Sequence, residues 1–350
     1  MIPTSKAAEN SFNAVRLIAA LQVAYVHATE ILHLDQGPGW LWITQFPGVP
    51  IFFAVSGYLV FDSMIRLPIG EFIRHRAARI YPALLVNIAI IEALLWLSGQ
   101  SDLNAYSAST IFQYFEFYAL TASNAIAALA AGADFPHTFD GFFKIYPSGV
   151  LWTLTDELTF YVVIVGFKAT GNRIIRTLVV LEFCRASLAI PGYRLILQEN
   201  WPFLLTVLPY FWMFGIGMLF RLWRPPVWSA WIAIPALLGA LAAVAHVRGL
   251  ERFEWKIGPT ELVSIQAALL CLISLWIGYS PLLKSKILAK NDMSYGLYLY
   301  HMLIVTALMN VEPSRWLLIV VLGGGMVAGL LSWHLIERPC MRWARKPQPS

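Results

Sequence analysis

Ser11-Phe-Asn-Ala-Val-Arg16-Leu-Ile-Ala-Ala-Leu-Gln-Val-Ala-Tyr-Val-His27-Ala28 is apolar enough to form most of a membrane span, yet it carries an arginine and a histidine. At roughly 100° per residue, the spacing from Arg16 to His27 returns to within about 20° of the same azimuth, so the two share one helix face, about 16 Å apart along the axis. Ionisable groups inside a membrane are costly and mark functional sites. A snorkelling arginine at a helix end explains Arg16 alone, and a hydrogen bond to a neighbouring helix explains His27 alone. Two on one face carry more weight. The helix presents a fixed cation near one membrane edge and a titratable imidazole near mid-depth. The apolar stretch is too long for a signal peptide and lacks a convincing small-x-small cleavage site, so it is kept in the mature chain.

The rest of the chain agrees with a membrane setting. Hydrophobic residues make up 58% of the 350 and charged residues 13%, with a mean hydropathy of +0.64. Soluble domains of ordinary composition do not reach these values. Apolar runs of about twenty residues recur between short polar links, which fits one all-α membrane domain over residues 1–350 with no appended soluble domain. Cys184, Cys271 and Cys340 lie far apart, so neither a disulfide nor a metal cluster is expected. The net charge of +5 is read as a topological signal and not as a nucleic-acid footprint.

Candidate spans cover 11–33, 46–65, 79–98, 149–168, 174–190, 203–221, 228–246, 261–279, 294–310 and 315–336. The stretch 109–131 is apolar but ambiguous. If it stays out of the membrane and the N-terminus is cytoplasmic, 18 of the 25 Lys and Arg fall on the cytoplasmic side. If it spans, every later basic cluster inverts. The expectation is therefore about ten transmembrane helices with both termini cytoplasmic, and an extracytoplasmic excursion over 99–148. That excursion holds the aromatic run Ile111-Phe-Gln-Tyr-Phe-Glu-Phe-Tyr118, which fits a re-entrant or interfacial helix, a lid, or a loop covering the bundle.

Several polar constellations interrupt the apolar runs. Glu71-Phe-Ile-Arg-His-Arg-Ala-Ala-Arg-Ile-Tyr-Pro82 places Arg76 and Arg79 one turn apart, where two guanidinium forks suit phosphate, or equally an ordinary positive-inside anchor. Pro82 is expected to start the next span. Ile51-Phe-Phe-Ala-Val-Ser-Gly-Tyr-Leu59 offers Ser56 and Gly57 for close helix packing, with no base beside Ser56 to make it a nucleophile. In Leu151-Trp-Thr-Leu-Thr-Asp-Glu-Leu-Thr-Phe-Tyr161, Trp152 reads as an interfacial anchor and Asp156 as a helix cap. Glu157 is either a second dipole partner or a carboxylate that orients an imidazole or accepts a proton. Ser294-Tyr-Gly-Leu-Tyr-Leu-Tyr-His301 sets Tyr298 and His301 on one face, as a structural hydrogen bond or a part of the site. Glu337-Arg-Pro339 reads as a helix stop with an ion pair.

Taken in order, these elements resemble the integral-membrane acyltransferase-3 family over nearly the whole chain. Arg16 with His27 matches its first-helix pair, and Phe52-Phe-Ala-Val-Ser-Gly-Tyr58 its aromatic Ser-Gly element. Arg76 with Arg79-Ile-Tyr-Pro82 matches its paired arginines, Trp152 through Glu157 to Phe160-Tyr161 its Trp-Ser-Leu, Glu, Phe-Tyr element, and Tyr295 to His301 its late Tyr-Leu-x-His. Thr153 stands where the family often has Ser, and Leu17 where a small residue commonly follows the arginine. The resemblance implies transfer of an acyl group, acetyl in the first instance, from cytoplasmic acetyl-CoA or another short acyl-CoA to a hydroxyl of an extracytoplasmic or lipid-linked carbohydrate, in the bacterial inner membrane. Under it, His27 and Glu157 are catalytic, with His27 as base or transient acyl acceptor. Arg16, Arg76 and Arg79 bind the donor, Ser56, Trp152, Tyr298 and His301 support them, and no metal is required. The competing reading is a proton-coupled transporter or exporter of a sugar-containing substrate, with His27, Glu157 and His301 as the relay. Against it, no internal repeat is visible.

Overall fold

The computed structural model describes residues 11–37, 39–97, 150, 152–168, 204–249 and 261–345. Among these residues all regular structure is helical. In chain order the helices are α1 (Phe12–Ile31), the short α2 (Trp40–Thr44), α3 (Gly48–Arg66), α4 (Ile69–Leu97), α5 (Trp152–Lys168) and α6 (Leu204–Trp223). There follow α7 (Ala230–Val247), α8 (Glu261–Tyr279), the short α9 (Lys286–Lys290), α10 (Ser294–Ala307), α11 (Arg315–Ser332) and α12 (Arg338–Ala344). The expected span at 174–190, the excursion over 99–148 and Cys184 lie outside the described residues.

Four stretches are both long and apolar enough to cross a membrane: Trp40–Arg66, Val227–Val247, Leu262–Tyr279 and Arg315–Ala344. They mark an integral membrane protein. With 20 residues, α1 is also long enough. Asn13, Arg16, Gln22 and His27 dilute its apolar character, as befits a helix turned toward a polar interior.

Close packing follows the small residues. A Cβ on Gly57 of α3 would lie 2.0 Å from the carbonyl oxygen of Phe214, and one on Gly217 of α6 would lie 2.0 Å from that of Ala54. The two glycines therefore let α3 and α6 touch backbone to backbone, the contact that small residues provide where lipid supplies no hydrophobic drive between helices. In α10, 12 of the 14 residues are buried, so this helix forms the centre of the bundle. Peripheral α7 exposes Trp231 and Ile232.

Two expected helix boundaries move. Pro82 does not begin a span: it lies inside α4, which already carries Arg74, Arg76 and Arg79 in its first three turns. The hydroxyls of Tyr295 and Tyr300 on α10 donate to the carbonyls of Ile80 and Ala83, at 3.0 and 3.1 Å, so α4 is tied to a neighbouring helix on either side of the proline. Nor does Glu337-Arg-Pro339 stop a helix. The chain makes a wider π-turn over Trp333–Glu337 and runs on as α12, with Pro339 in the first turn, where its missing N–H is not needed. The ion pair expected there is present, and its partner is Arg79.

Candidate active site

Helices α1 and α10 lie side by side and are joined by two polar rungs. At one end Arg16 Nη1 donates to Asp292 Oδ2 at 2.5 Å, immediately before α10 begins. At the other, His27 Nδ1 and His301 Nε2 are 2.9 Å apart, with the rings stacked at an interplanar angle of 15°. The rungs occur in the same chain order on both helices, so α1 and α10 are parallel.

The Arg16 rung belongs to a closed charge network. Asp292 Oδ2 also accepts from Arg79 Nη2 at 2.7 Å, and its Oδ1 accepts from Ser294 at 2.6 Å. Arg79 Nη1 donates to Glu337 Oε2 at 2.5 Å, and Glu337 Oε1 accepts from Ser332 at 2.8 Å. Two guanidinium groups thus face two carboxylates, and all four carboxylate oxygens are hydrogen-bonded. The Arg79 guanidinium also lies 5.5 Å from the ring centroids of both Tyr295 and Trp333. Glu337 is fully buried and Arg79 nearly so. Burial alone would raise the Asp292 carboxyl above its ordinary value, but the adjacent Arg16 and Arg79 outweigh it and hold the group down at about 2.

Arg76 is placed differently. Among the described residues it has no ion pair, and its Nε is buried without a hydrogen-bond partner. It lies close enough to Tyr161 to act on it electrostatically, as does Arg16. Arg16 and Arg76 therefore approach one place, whereas Arg79 is committed to Asp292 and Glu337.

Between the rungs is a cavity of about 40 Å³ lined in part by Arg16 and Tyr295 at one end and by Phe52, Ser56, Glu157, Thr153 and Tyr298 beyond. That is room for roughly three water-sized groups. Ser56 Oγ donates to Glu157 Oε1 at 3.0 Å and Tyr161 to the same oxygen at 2.5 Å. Gly57 makes the close helix packing that the Ser-Gly pair predicted, while its neighbour Ser56 reaches across to a carboxylate. Tyr298 shares a 2.8 Å hydrogen bond with Thr153, and its ring centroid is 6.0 Å from that of His301. The cavity thus ends one helical turn from the histidine pair.

The histidine rung has a defined proton order. His301 Nδ1 faces the carbonyl oxygen of Leu297 at 3.2 Å, and a carbonyl only accepts, so Nδ1 carries the hydrogen. In the uncharged pair His301 Nε2 is then the acceptor, and His27 Nδ1–H donates to it. This places the lone pair of His27 on Nε2, the arrangement a general base requires.

Asp156 is not a helix cap. It sits a full turn inside α5, is 2% exposed, and its Oδ2 has no hydrogen-bond partner among the described residues. Trp152 opens α5, and its side chain lies outside the described ones. Among the described residues no group of three or more His, Cys, Asp or Glu is placed to hold a metal, and Cys271 and Cys340 are free thiols. Sequence reasoning missed Asp292, and read Glu337 only as an ion-paired residue at a helix stop and not as part of the site. Each is a lone acid at the border of an apolar run, and two arginines drawn into the bundle needed two such acids for neutrality.

Comparison with known proteins identifies the family. A family profile described as an acyltransferase domain, that of the acyltransferase-3 family, matches residues 9–337. The chain is similar to "Nodulation protein 10" of Rhizobium leguminosarum bv. viciae, at 36% identity over 352 aligned positions covering 95% of this chain and 93% of that protein. It is also similar to "O-acetyl transferase" of Shigella phage Sf6, at 28% identity covering 94% of this chain and 95% of the other. No solved structure matches. With a profile matched across nearly its whole length, this chain belongs to the acyltransferase-3 family of acyltransferases.

Proposed function

We propose that this protein moves an acetyl group from cytoplasmic acetyl-CoA to a hydroxyl of a carbohydrate presented on the other side of the bacterial inner membrane, with His27 Nε2 as general base. The observation that carries this reading is the proton order of the histidine rung, which puts a lone pair on the imidazole beyond the cavity. The name of the phage relative supports acetyl as the group and oxygen as its destination. The acceptor oxygen attacks the thioester carbonyl as His27 Nε2 takes the hydroxyl proton. The tetrahedral intermediate then collapses, the C–S bond breaks, and the imidazolium returns the proton to the departing CoA sulfur.

In this reading the donor lies along α1. Its phosphates meet Arg76, which has no carboxylate partner among the described residues, with Arg16 and Arg79 presented at the same edge by Asp292 and Glu337. The thioester end enters the cavity beside Phe52, Ser56 and Tyr298, which has room for a small acyl group and not for the nucleotide. Glu157 is held by Ser56 and Tyr161 on the cavity wall, where it orients the acceptor. The topology is ten spans with both termini cytoplasmic. Arg16, Asp292, Arg79 and Glu337 meet at one end of the bundle, as the charge bias of the loops requires.

The test is labelled acetyl-CoA with purified protein in lipid nanodiscs. Replacement of His27 by alanine is expected to lower transfer by about 10²–10⁴-fold while acetyl-CoA still binds. A His27→Ala protein that transfers at the full rate sinks the catalytic assignment. Accumulation of an unmodified sugar in vesicles lacking acetyl-CoA would favour transport instead.

A further inference from the structure

We propose that the carboxylate of Asp156 is the group that recognises the acceptor: it receives a hydrogen bond from a hydroxyl next to the one that is acylated, and so selects a polyol and the position modified on it. This rests on the acyl-transfer reading above and adds to it a residue that the family resemblance leaves unassigned.

Two adjacent carboxylates on α5 have opposite surroundings. Glu157 Oε1 accepts from both Ser56 and Tyr161. Asp156 is 2% exposed, yet its Oδ2 has no donor among the described residues. A buried carboxylate oxygen without a donor is unfavourable, and native proteins retain such a group where a ligand or water completes it. The position is also specific. Asp156 lies one turn along α5 from Thr153, on the same face. Thr153 bonds the hydroxyl of Tyr298, and Asp156 is close enough to Tyr298 to act on it electrostatically. Tyr298 in turn packs beside His301, which bonds His27. The vacant acceptor atom therefore stands on the helix that carries Glu157, one turn from Thr153, which lines the cavity.

What the site lacks is a donor, and a carbohydrate brings several in fixed relation. If one ring hydroxyl gives its proton to His27 Nε2 and a neighbouring hydroxyl donates to Asp156 Oδ2, the ring is held in one orientation and one position is acylated. A simple alcohol has no second hydroxyl and gains nothing from Asp156. A site built to hydrogen-bond a hydroxyl discriminates strongly against an analogue that lacks it.

The experiment compares the unmodified protein with Asp156→Asn and Asp156→Val in nanodiscs. Labelled acetyl-CoA is the donor, and the acceptors are a panel of methyl glycosides and, as the single-hydroxyl control, cyclohexanol. The ratio of transfer to the best glycoside over transfer to cyclohexanol is expected to fall by about tenfold in Asp156→Val. The acetylated positions on the glycoside, read by NMR, are expected to spread from one to several. Melting temperature is expected to hold or rise, because the substitution removes an unsatisfied buried group. An unchanged ratio with unchanged positions overturns the proposal, and so does a fall in melting temperature, which would make Asp156 a structural residue. Failure of the unmodified protein to acetylate any hydroxyl in the panel would instead sink the carbohydrate reading, and this assignment with it. A normal glycoside preference in Asp156→Val removes only the role of Asp156.

Discussion

The two rungs between α1 and α10 use similar separations to opposite ends. In the Arg16 rung every charge has a countercharge, every carboxylate oxygen a donor, and the chain of contacts closes through Asp292, Arg79 and Glu337. In the His27 rung the contact is between two imidazoles, ordered by one carbonyl, and the chain leads to a lone pair on Nε2. A closed network resists change because any proton or ion added to it leaves another group unpaired. An imidazole pair can instead take up and release a proton. The same pair of helices therefore fixes geometry at one end and supplies basicity at the other, with the cavity between them.

The comparison breaks most visibly at Asp292. Asp292→Asn leaves Arg16 and Arg79 side by side with only Glu337 between two cations in a largely buried setting. Removing one partner of a buried network costs roughly 3–5 kcal/mol. The expected result is a large fall in melting temperature in detergent together with loss of acetyl transfer. Paired replacement of Arg16 by Met and Asp292 by Asn restores charge balance around Arg79 and should recover much of the stability without recovering activity. A single Asp292→Asn protein with normal melting and normal turnover would show that the rung is incidental.

Much of this arrangement is legible in the sequence because it is local. The shared face of Arg16 and His27 follows from their spacing, and the structure uses both from one helix against α10. The turn shared by Tyr298 and His301 follows in the same way. The pairing across helices is not local: Asp292 is 276 residues from Arg16, and Glu337 is 258 from Arg79, so no periodicity connects them. Arg79 illustrates the consequence. Its spacing from Arg76 reads as a phosphate fork, but one turn of α4 separates a cation held by two carboxylates from one with none among the described residues. Pro82 and Glu337-Arg-Pro339 misled for a related reason. Proline marks a helix boundary where nothing else holds the backbone, and here tyrosine hydroxyls and a π-turn carry the helices through.

A smaller effect is expected at the other rung. His301 is a positioning residue, which acts by fixing the tautomer of His27. His301→Gln retains an oxygen that accepts from His27 Nδ1–H, whereas His301→Leu removes the acceptor at similar bulk. Outer partners of an active imidazole are worth about 10–100-fold. Turnover in the Leu variant should fall in that range, with the Gln variant recovering most of it and the KM for acetyl-CoA steady in both. Equal losses in Gln and Leu, or a raised donor KM with normal turnover, would assign His301 to packing or donor binding.

The smallest effect distinguishes the rungs by pH. The Asp292 carboxyl lies at about 2 in the folded protein against an ordinary value of 3.8. A depressed carboxylate contributes stability that is fully present above the ordinary value and is lost as pH falls toward the folded one. Between pH 5 and 9 the Arg16 rung therefore stays ionised, and the contribution of Asp292 to melting temperature, read as the difference between the protein and Asp292→Asn, should be constant. Below about pH 4 that difference should shrink, because the unfolded chain then gains the proton first. A pH dependence of turnover inside that window therefore does not come from Asp292. A difference between the two proteins that varies across pH 5–9 would mean that Asp292 is coupled to a group titrating near neutrality, and the separation of a closed rung from a reactive one would fail.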